Sequence, residues 1–244
     1  MTSLDQDRSR AGRPDLGVRH PARVRTFHVR HGRTSGRHLT ALNRHWGRYG
    51  VTVSQDTPSV WDLTALFGRT APVVLEIGSG MGETTITMAA ADPARDYLAV
   101  EVHRPGIANL LELIAAHGLT NVRVAAGDAL DLLRHHLAPA SLAAMHVFFP
   151  DPWPKVRHHK RRLIRPDHVR LIANRLAPGG TLHCATDWAD YAGAMLAVLS
   201  ADPDLANTVA GYAPRPEHRP TTRFERRGVE AGRDIFDLVF RRRP

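Results

Sequence analysis

The sequence predicts an α/β fold with a mostly parallel central sheet and helices on both faces. Three observations predict it. From Pro72 onward, short apolar runs alternate with helical patterns, the mark of parallel strands joined by crossover helices. The first of these runs ends in a glycine-rich turn, Gly78-Ser79-Gly80-Met81-Gly82. The next two runs end in Glu101 and in Gly127-Asp128, at the strand edge where open α/β sheets bind ligands.

The elements follow in order. Residues 1–22 are polar, arginine-rich and aperiodic, so they are expected to be disordered or to order only on binding. Leu39, Leu42, Trp46 and Tyr49 have helical spacing and predict a short amphipathic helix packed on the main domain. Residues 73–77 form a buried strand ended by glycines, and residues 83–91 a helix stopped before Pro93. Residues 97–101 are a second strand. Residues 105–117 are a helix, with Pro105 in its first turn and Gly118 after its end, as helix termini prefer. Residues 122–126 are a third strand, followed by a helix from about 129 to 136. Residues 145–149 are a fourth strand, 166–176 a helix closed by Pro178-Gly179-Gly180, 181–186 a fifth strand and 188–200 a helix. A β-like run covers 234–240. The expected division is a basic arm over residues 1–50 and a ligand-binding domain over 51–244.

Composition narrows the partners. The 244 residues are 43% hydrophobic, enough for a real core. The net charge of +9 points to a polyanion. That charge is uneven: eleven arginines precede Trp61, against Asp5, Asp7, Asp15 and Asp56. Only two lysines occur, Lys155 and Lys160. Cys184 is the single cysteine, which excludes an intrachain disulfide and a cysteine-type zinc site and fits a reducing cytoplasm. No signal-peptide or membrane-spanning run is visible. His158-His159 and His135-His136 are adjacent pairs rather than i, i+4 pairs, so no metal is expected.

The glycine turn reads Glu76-x-Gly78-x-Gly80-x-Gly82. A dinucleotide fingerprint needs a third glycine where Glu83 stands, and a carboxylate there repels a pyrophosphate. The pattern instead resembles motif I of the S-adenosylmethionine-dependent methyltransferases, whose cofactor is cationic and carries no phosphate. Glu101 is placed to accept hydrogen bonds from ribose hydroxyls.

The fourth strand leads into Phe149-Pro150-Asp151-Pro152-Trp153-Pro154-Lys155, followed by Arg157-His158-His159-Lys160-Arg161-Arg162. Three prolines in five residues cannot continue a strand, and they stiffen the loop. Asp151, Trp153 and Lys155 then suit a planar polar ring, and the basic run suits phosphates. Together with Ala185-Thr186-Asp187 and Thr222-Arg223-Phe224-Glu225, these motifs resemble the bacterial single-subunit tRNA (guanine-N7-)-methyltransferases over roughly residues 24–242.

The resemblance implies a class I, Rossmann-like methyltransferase domain behind a basic N-terminal arm. It implies S-adenosyl-L-methionine as cofactor, tRNA as partner, a cytoplasmic monomer, no membrane and no metal. The implied reaction is methylation of N7 of a variable-loop guanosine (guanine 46 of tRNA). Glu76, Gly78, Gly80, Gly82, Glu101, Asp128 and Asp151 match cofactor-binding positions, Asp128 towards the adenine amino group. Asp151 also matches the proposed catalytic position. Lys155, Asp187, Thr222, Arg223, Phe224 and Glu225 match substrate-binding positions, and Arg157, His158, His159, Lys160, Arg161 and Arg162 the stretch that contacts RNA. Arg223 stands where the family usually has lysine. The alternatives are a methyltransferase of the same fold acting on another RNA, a small molecule or a protein, and a noncatalytic RNA-binding protein.

Overall fold

The computed structural model describes residues 24–28 and 35–244. The expectation for residues 1–22 lies outside them.

Eight strands form one sheet. In chain order they are β1 (Gly50–Thr52), β2 (Val73–Ile77), β3 (Asp96–Glu101), β4 (Val122–Ala126), β5 (Leu142–Phe148), β6 (Leu176–Thr186), β7 (Leu205–Asn207) and β8 (Phe236–Arg242). Their spatial order is β1-β4-β3-β2-β5-β6-β8-β7. The pairs from β1 through β6 are parallel, and β8 runs antiparallel to both β6 and β7. The chain winds outward from β2 to β4, then returns to place β5 on the other side of β2. The crevice beyond β2 and β5 is therefore the topological switch point.

The helices are α1 (Gly36–Tyr49), α2 (Leu63–Phe67), α3 (Glu83–Ala91), α4 (Arg104–Ala116), α5 (Ala129–His135), α6 (Pro166–Arg175), α7 (Ala189–Ala201) and α8 (Arg223–Glu230). Strand residues alternate between two cores, as the two-residue side-chain period requires. Val74, Ala99, Val124 and Ala144 face α1, α3 and α4. Leu75, Leu98, Val100, Met145 and Leu182 face α2, α5, α6 and α7. Ser35 caps α1 through a reciprocal pair with His38, and Ala41, Leu42 and Tyr49 bury that helix in the first core.

The predicted strands and helices from residue 73 to 201 are present, with ends shifted by a few residues. The largest shift is at β6, which begins at Leu176 and carries Pro178-Gly179-Gly180 within it rather than before it. β1, α2, β7 and α8 have no counterpart among the elements expected from the sequence. The first three are three to five residues long, too short to show a period. No helix among the described residues is long and apolar enough to cross a membrane.

Candidate active site

The glycine turn follows β2. Gly78, Gly80 and Gly82 take φ of 79°, 59° and 89°, which an L side chain adopts only under strain. A Cβ at Gly78 or Gly80 would meet nothing within 4 Å, so the turn opens onto free space. Gly78 N–H bonds to Val100 O at 2.8 Å, which clips the turn to β3. Gly106, in the first turn of α4, lets that helix approach: a Cβ there would lie 2.1 Å from Gly80 O. Gly106 belongs to no motif in the sequence; its one local signal is a glycine inside a helix, which marks close contact.

Glu76 and Glu101 border this space. Glu76 is 4% exposed and accepts a hydrogen bond from the Thr85 hydroxyl. Burial pushes its carboxyl up to about 7, against the Thr85 hydrogen bond, and the neighbouring Glu101 pushes it the same way. Glu101 accepts three backbone N–H groups: Gly80 at 2.8 Å, Val102 at 2.7 Å and His103 at 2.8 Å. A carboxylate offers about four acceptor sites, so roughly one remains. Accepting both ribose hydroxyls, as expected from the sequence, requires one of these N–H groups to yield. Asp128 follows β4 and caps α5, accepting from Leu130 N at 2.8 Å. Gly127 N–H bonds to Glu101 O at 3.0 Å, so Asp128 and Glu101 stand on adjoining strand ends.

Three carboxylates around an open glycine turn fit a cationic ligand. Ser79 Oγ adds a buried hydroxyl with no hydrogen-bond partner. S-Adenosylmethionine, with its sulfonium and ammonium, matches this donor set; a pyrophosphate does not.

The Pro-rich loop follows β5. Phe149 and Trp153 have φ of 51° and 47°, a left-handed conformation costing ~1–3 kcal/mol each for such residues. The surroundings hold it. Phe149 N–H bonds to Ala185 O at 2.8 Å. Trp153 is 2% exposed, stacked on His28 at 3.9 Å, with the Arg161 guanidinium 4.2 Å from its ring. Its indole N–H donates to Thr26 O at 3.2 Å. Trp153 thus anchors residues 24–28 to the loop rather than presenting its face to a base. Asp151 accepts from His28 N at 2.9 Å and from His28 Nδ1 at 3.0 Å.

The basic run forms a 3-10 turn, Val156–Arg161. Lys155, Arg157 and Lys160 are exposed, and His158, His159 and Arg161 partly so. Arg162 departs from the expectation of a uniformly RNA-facing run. It is 5% exposed, donates through Nε to Pro152 O at 3.0 Å, pairs with Asp190 and covers the Tyr191 ring at 4.7 Å. It braces the loop from behind.

On the substrate side, Asp187 follows β6 and accepts from Arg233 Nε at 2.8 Å. Thr222 caps α8, accepting from Glu225 N at 3.0 Å. Arg223 and Phe224 are exposed. Glu225 is 7% exposed and pairs with buried Arg219. Arg219 also binds Asp237 through Nε at 2.8 Å and Nη2 at 2.9 Å. The expectation that Glu225 binds substrate meets a competitor here, because its carboxylate already serves a buried cation. Arg219 and His28 belong to no sequence motif; Arg219 lies three residues before Thr222, and His28 has no local signal.

A family model described as "Putative methyltransferase" matches residues 70–238. A "tRNA (guanine-N(7)-)-methyltransferase" of Burkholderia cenocepacia is 51% identical over 237 residues, 97% of this chain and 92% of that protein. One from Streptomyces coelicolor is 56% identical over 222 residues, 90% of this chain and 81% of that protein. The chain belongs to the tRNA (guanine-N7-)-methyltransferase family. Its fold is that of the class I methyltransferases. The 16S rRNA methyltransferase KamB superposes with a TM-score of 0.57 at 20% identity, covering 79% of this chain and 99% of that one. TrmN from Thermus thermophilus superposes at 0.51 and 18% identity, covering 74% and 47%.

Proposed function

We propose that this protein transfers a methyl group from S-adenosyl-L-methionine to N7 of a guanosine in tRNA. The identity of 51–56% to curated tRNA (guanine-N7-)-methyltransferases over most of the chain carries the proposal. The variable-loop guanosine, guanine 46, is the target, and the protein acts as a cytoplasmic monomer without metal in the reaction.

Glu76, Glu101 and Asp128, with the backbone at Gly78, Gly80 and Gly82, hold the cofactor. When bound, the cofactor supplies a methyl on a cationic sulfonium. Guanine N7 carries an in-plane lone pair and no proton, so its attack needs no base. The protein's work is then to align the base and exclude water. The strained Pro-rich loop fixes Asp151 at the mouth of the switch-point crevice, and its carboxylate stabilises the positive charge that develops on the purine. Asp151 and Asp187 accept hydrogen bonds from guanine N1 and N2 donors, which favours guanine over adenine. Lys155 and residues 222–225 hold the nucleotide, with Glu225 released from Arg219 or reading the base through it. Arg157, Lys160 and their neighbours, with the basic arm, bind phosphates.

The test is incubation with unmodified tRNA and methyl-labelled cofactor, followed by nucleoside analysis. Label in 7-methylguanosine supports the proposal. Cofactor binding with label in another nucleoside, or with none transferred, overturns it.

A further inference from the structure

Behind the Pro-rich loop, the fold gathers three histidines from distant parts of the chain. His146 in β5 and His183 in β6 are Cα partners in the parallel register, 3% and 2% exposed. His218 reaches them from the exposed loop before α8. One ring nitrogen from each lies within 4.8 Å of the other two, and the ring centroids are 6.0, 5.9 and 5.6 Å apart. We propose that His146, His183 and His218 form a binding site for a divalent transition-metal ion, Zn²⁺ by the character of its donors.

Two observations support this beyond proximity. Nδ1 of His146 and Nδ1 of His183 are both buried without a hydrogen-bond partner. Such orphans are rare in native proteins and costly unless a ligand satisfies them. His183 also places Nε2 2.7 Å from Asp237 Oδ1. A carboxylate on the far nitrogen keeps the proton there and leaves the Nδ1 lone pair for a metal, the usual support of a ligating histidine.

The geometry is close to what the ion needs. With Zn–N of about 2.0–2.1 Å, tetrahedral ligand nitrogens sit about 3.3 Å apart. The trio must contract by at most about 1.5 Å. His146 and His183 are fixed by the sheet, so His218 and its loop make most of that movement. Imidazole suits Zn²⁺, and three histidines leave a fourth position for water. A bound ion would tie the loop before Thr222 to β5 and β6. It would thereby steady Arg219 and the substrate segment, a structural clamp outside the methyl-transfer chemistry.

The chain itself hid this site. The histidines adjacent in sequence, His135-His136 and His158-His159, are not the ones the sheet brings together.

The test is titration of the untagged, chelator-stripped full-length protein with Co²⁺, then Zn²⁺. One Co²⁺ per chain with intense visible d–d bands, displaced by one equivalent of Zn²⁺, is expected. His218→Ala should weaken Co²⁺ at least 100-fold without changing the circular dichroism spectrum, since His218 is exposed. It should also abolish any Zn²⁺-dependent rise in melting temperature. The double variant His158→Ala/His159→Ala should bind as the parent does. Absence of stoichiometric Co²⁺ binding, unchanged affinity in His218→Ala, or loss of binding in the double variant would overturn the site.

Discussion

Glu225 sets its carboxylate against the guanidinium of Arg219, a buried side chain that also holds Asp237 through two hydrogen bonds. One arginine thus ties the start of α8 to the sheet at β8. Removing it leaves two buried carboxylates with weaker support, Arg215 at 4.0 Å from Glu225 and His183 at 2.7 Å from Asp237. Arg219→Met should destabilise the protein by about 3–5 kcal/mol, measured by urea denaturation. Arg219→Lys should recover only part, because an ammonium cannot form the forked contact with both acids. A loss below about 1 kcal/mol for Arg219→Met would show that the network is not a brace.

Glu76 carries a pH dependence of predictable sign. Its folded pKa of about 7 lies above the ordinary 4.5 because of burial. The folded state therefore holds the proton more tightly than the unfolded chain. That stabilisation is full below about pH 4.5 and is lost as pH rises through 7. Glu76→Gln should be more stable than the parent at pH 8 by up to about 3 kcal/mol, with the gap shrinking toward pH 5. The same variant should bind the cofactor at least tenfold more weakly at pH 8, read by calorimetry. Parallel stability curves for the two proteins would contradict the burial argument.

Much of this site was legible in the chain, and the reasons differ by residue. The placement of Glu76, Glu101 and Asp128 along one edge of the sheet was legible because each lies near or just past the end of an apolar run, and a parallel sheet aligns strand ends. The Pro-rich loop could be found because proline restricts the backbone whatever surrounds it. Arg162 was misjudged because a run of six basic residues shows no period, and a 3-10 turn that buries its last member leaves no mark in composition. The burial of Trp153 left no mark for a similar reason: its partner His28 lies 125 residues earlier in the chain. Arg219 and the three histidines depend on contacts between β5, β6, β8 and a loop, which no local pattern encodes.

The two kinds of arginine in the basic run can be separated by salt. Arg157→Ala/Lys160→Ala removes two exposed cations. It should weaken tRNA binding and reduce the slope of log K against log salt by about 1–2. Arg162→Ala should instead lower the melting temperature, since its guanidinium holds Pro152 and Asp190, and should leave the slope unchanged. A reversed pattern would mean that Arg162 turns outward to meet the RNA.

Asp151 is where the loop meets the proposed chemistry. Asp151→Asn keeps the shape and removes the charge. Methyl transfer under single-turnover conditions should slow by about 100-fold, while cofactor affinity stays within tenfold of the parent. Full-rate transfer by this variant would exclude an essential carboxylate at that position.

The most direct test swaps one atom of the acceptor. A tRNA is prepared with 7-deazaguanosine in place of the variable-loop guanosine, keeping the N1 and N2 donors but replacing the N7 lone pair with C–H. Labelled methyl should pass to the guanosine tRNA and not to the 7-deaza tRNA, although both bind with similar affinity. Equal transfer to the two would contradict attack by N7, and with it the assignment of this crevice to guanine methylation.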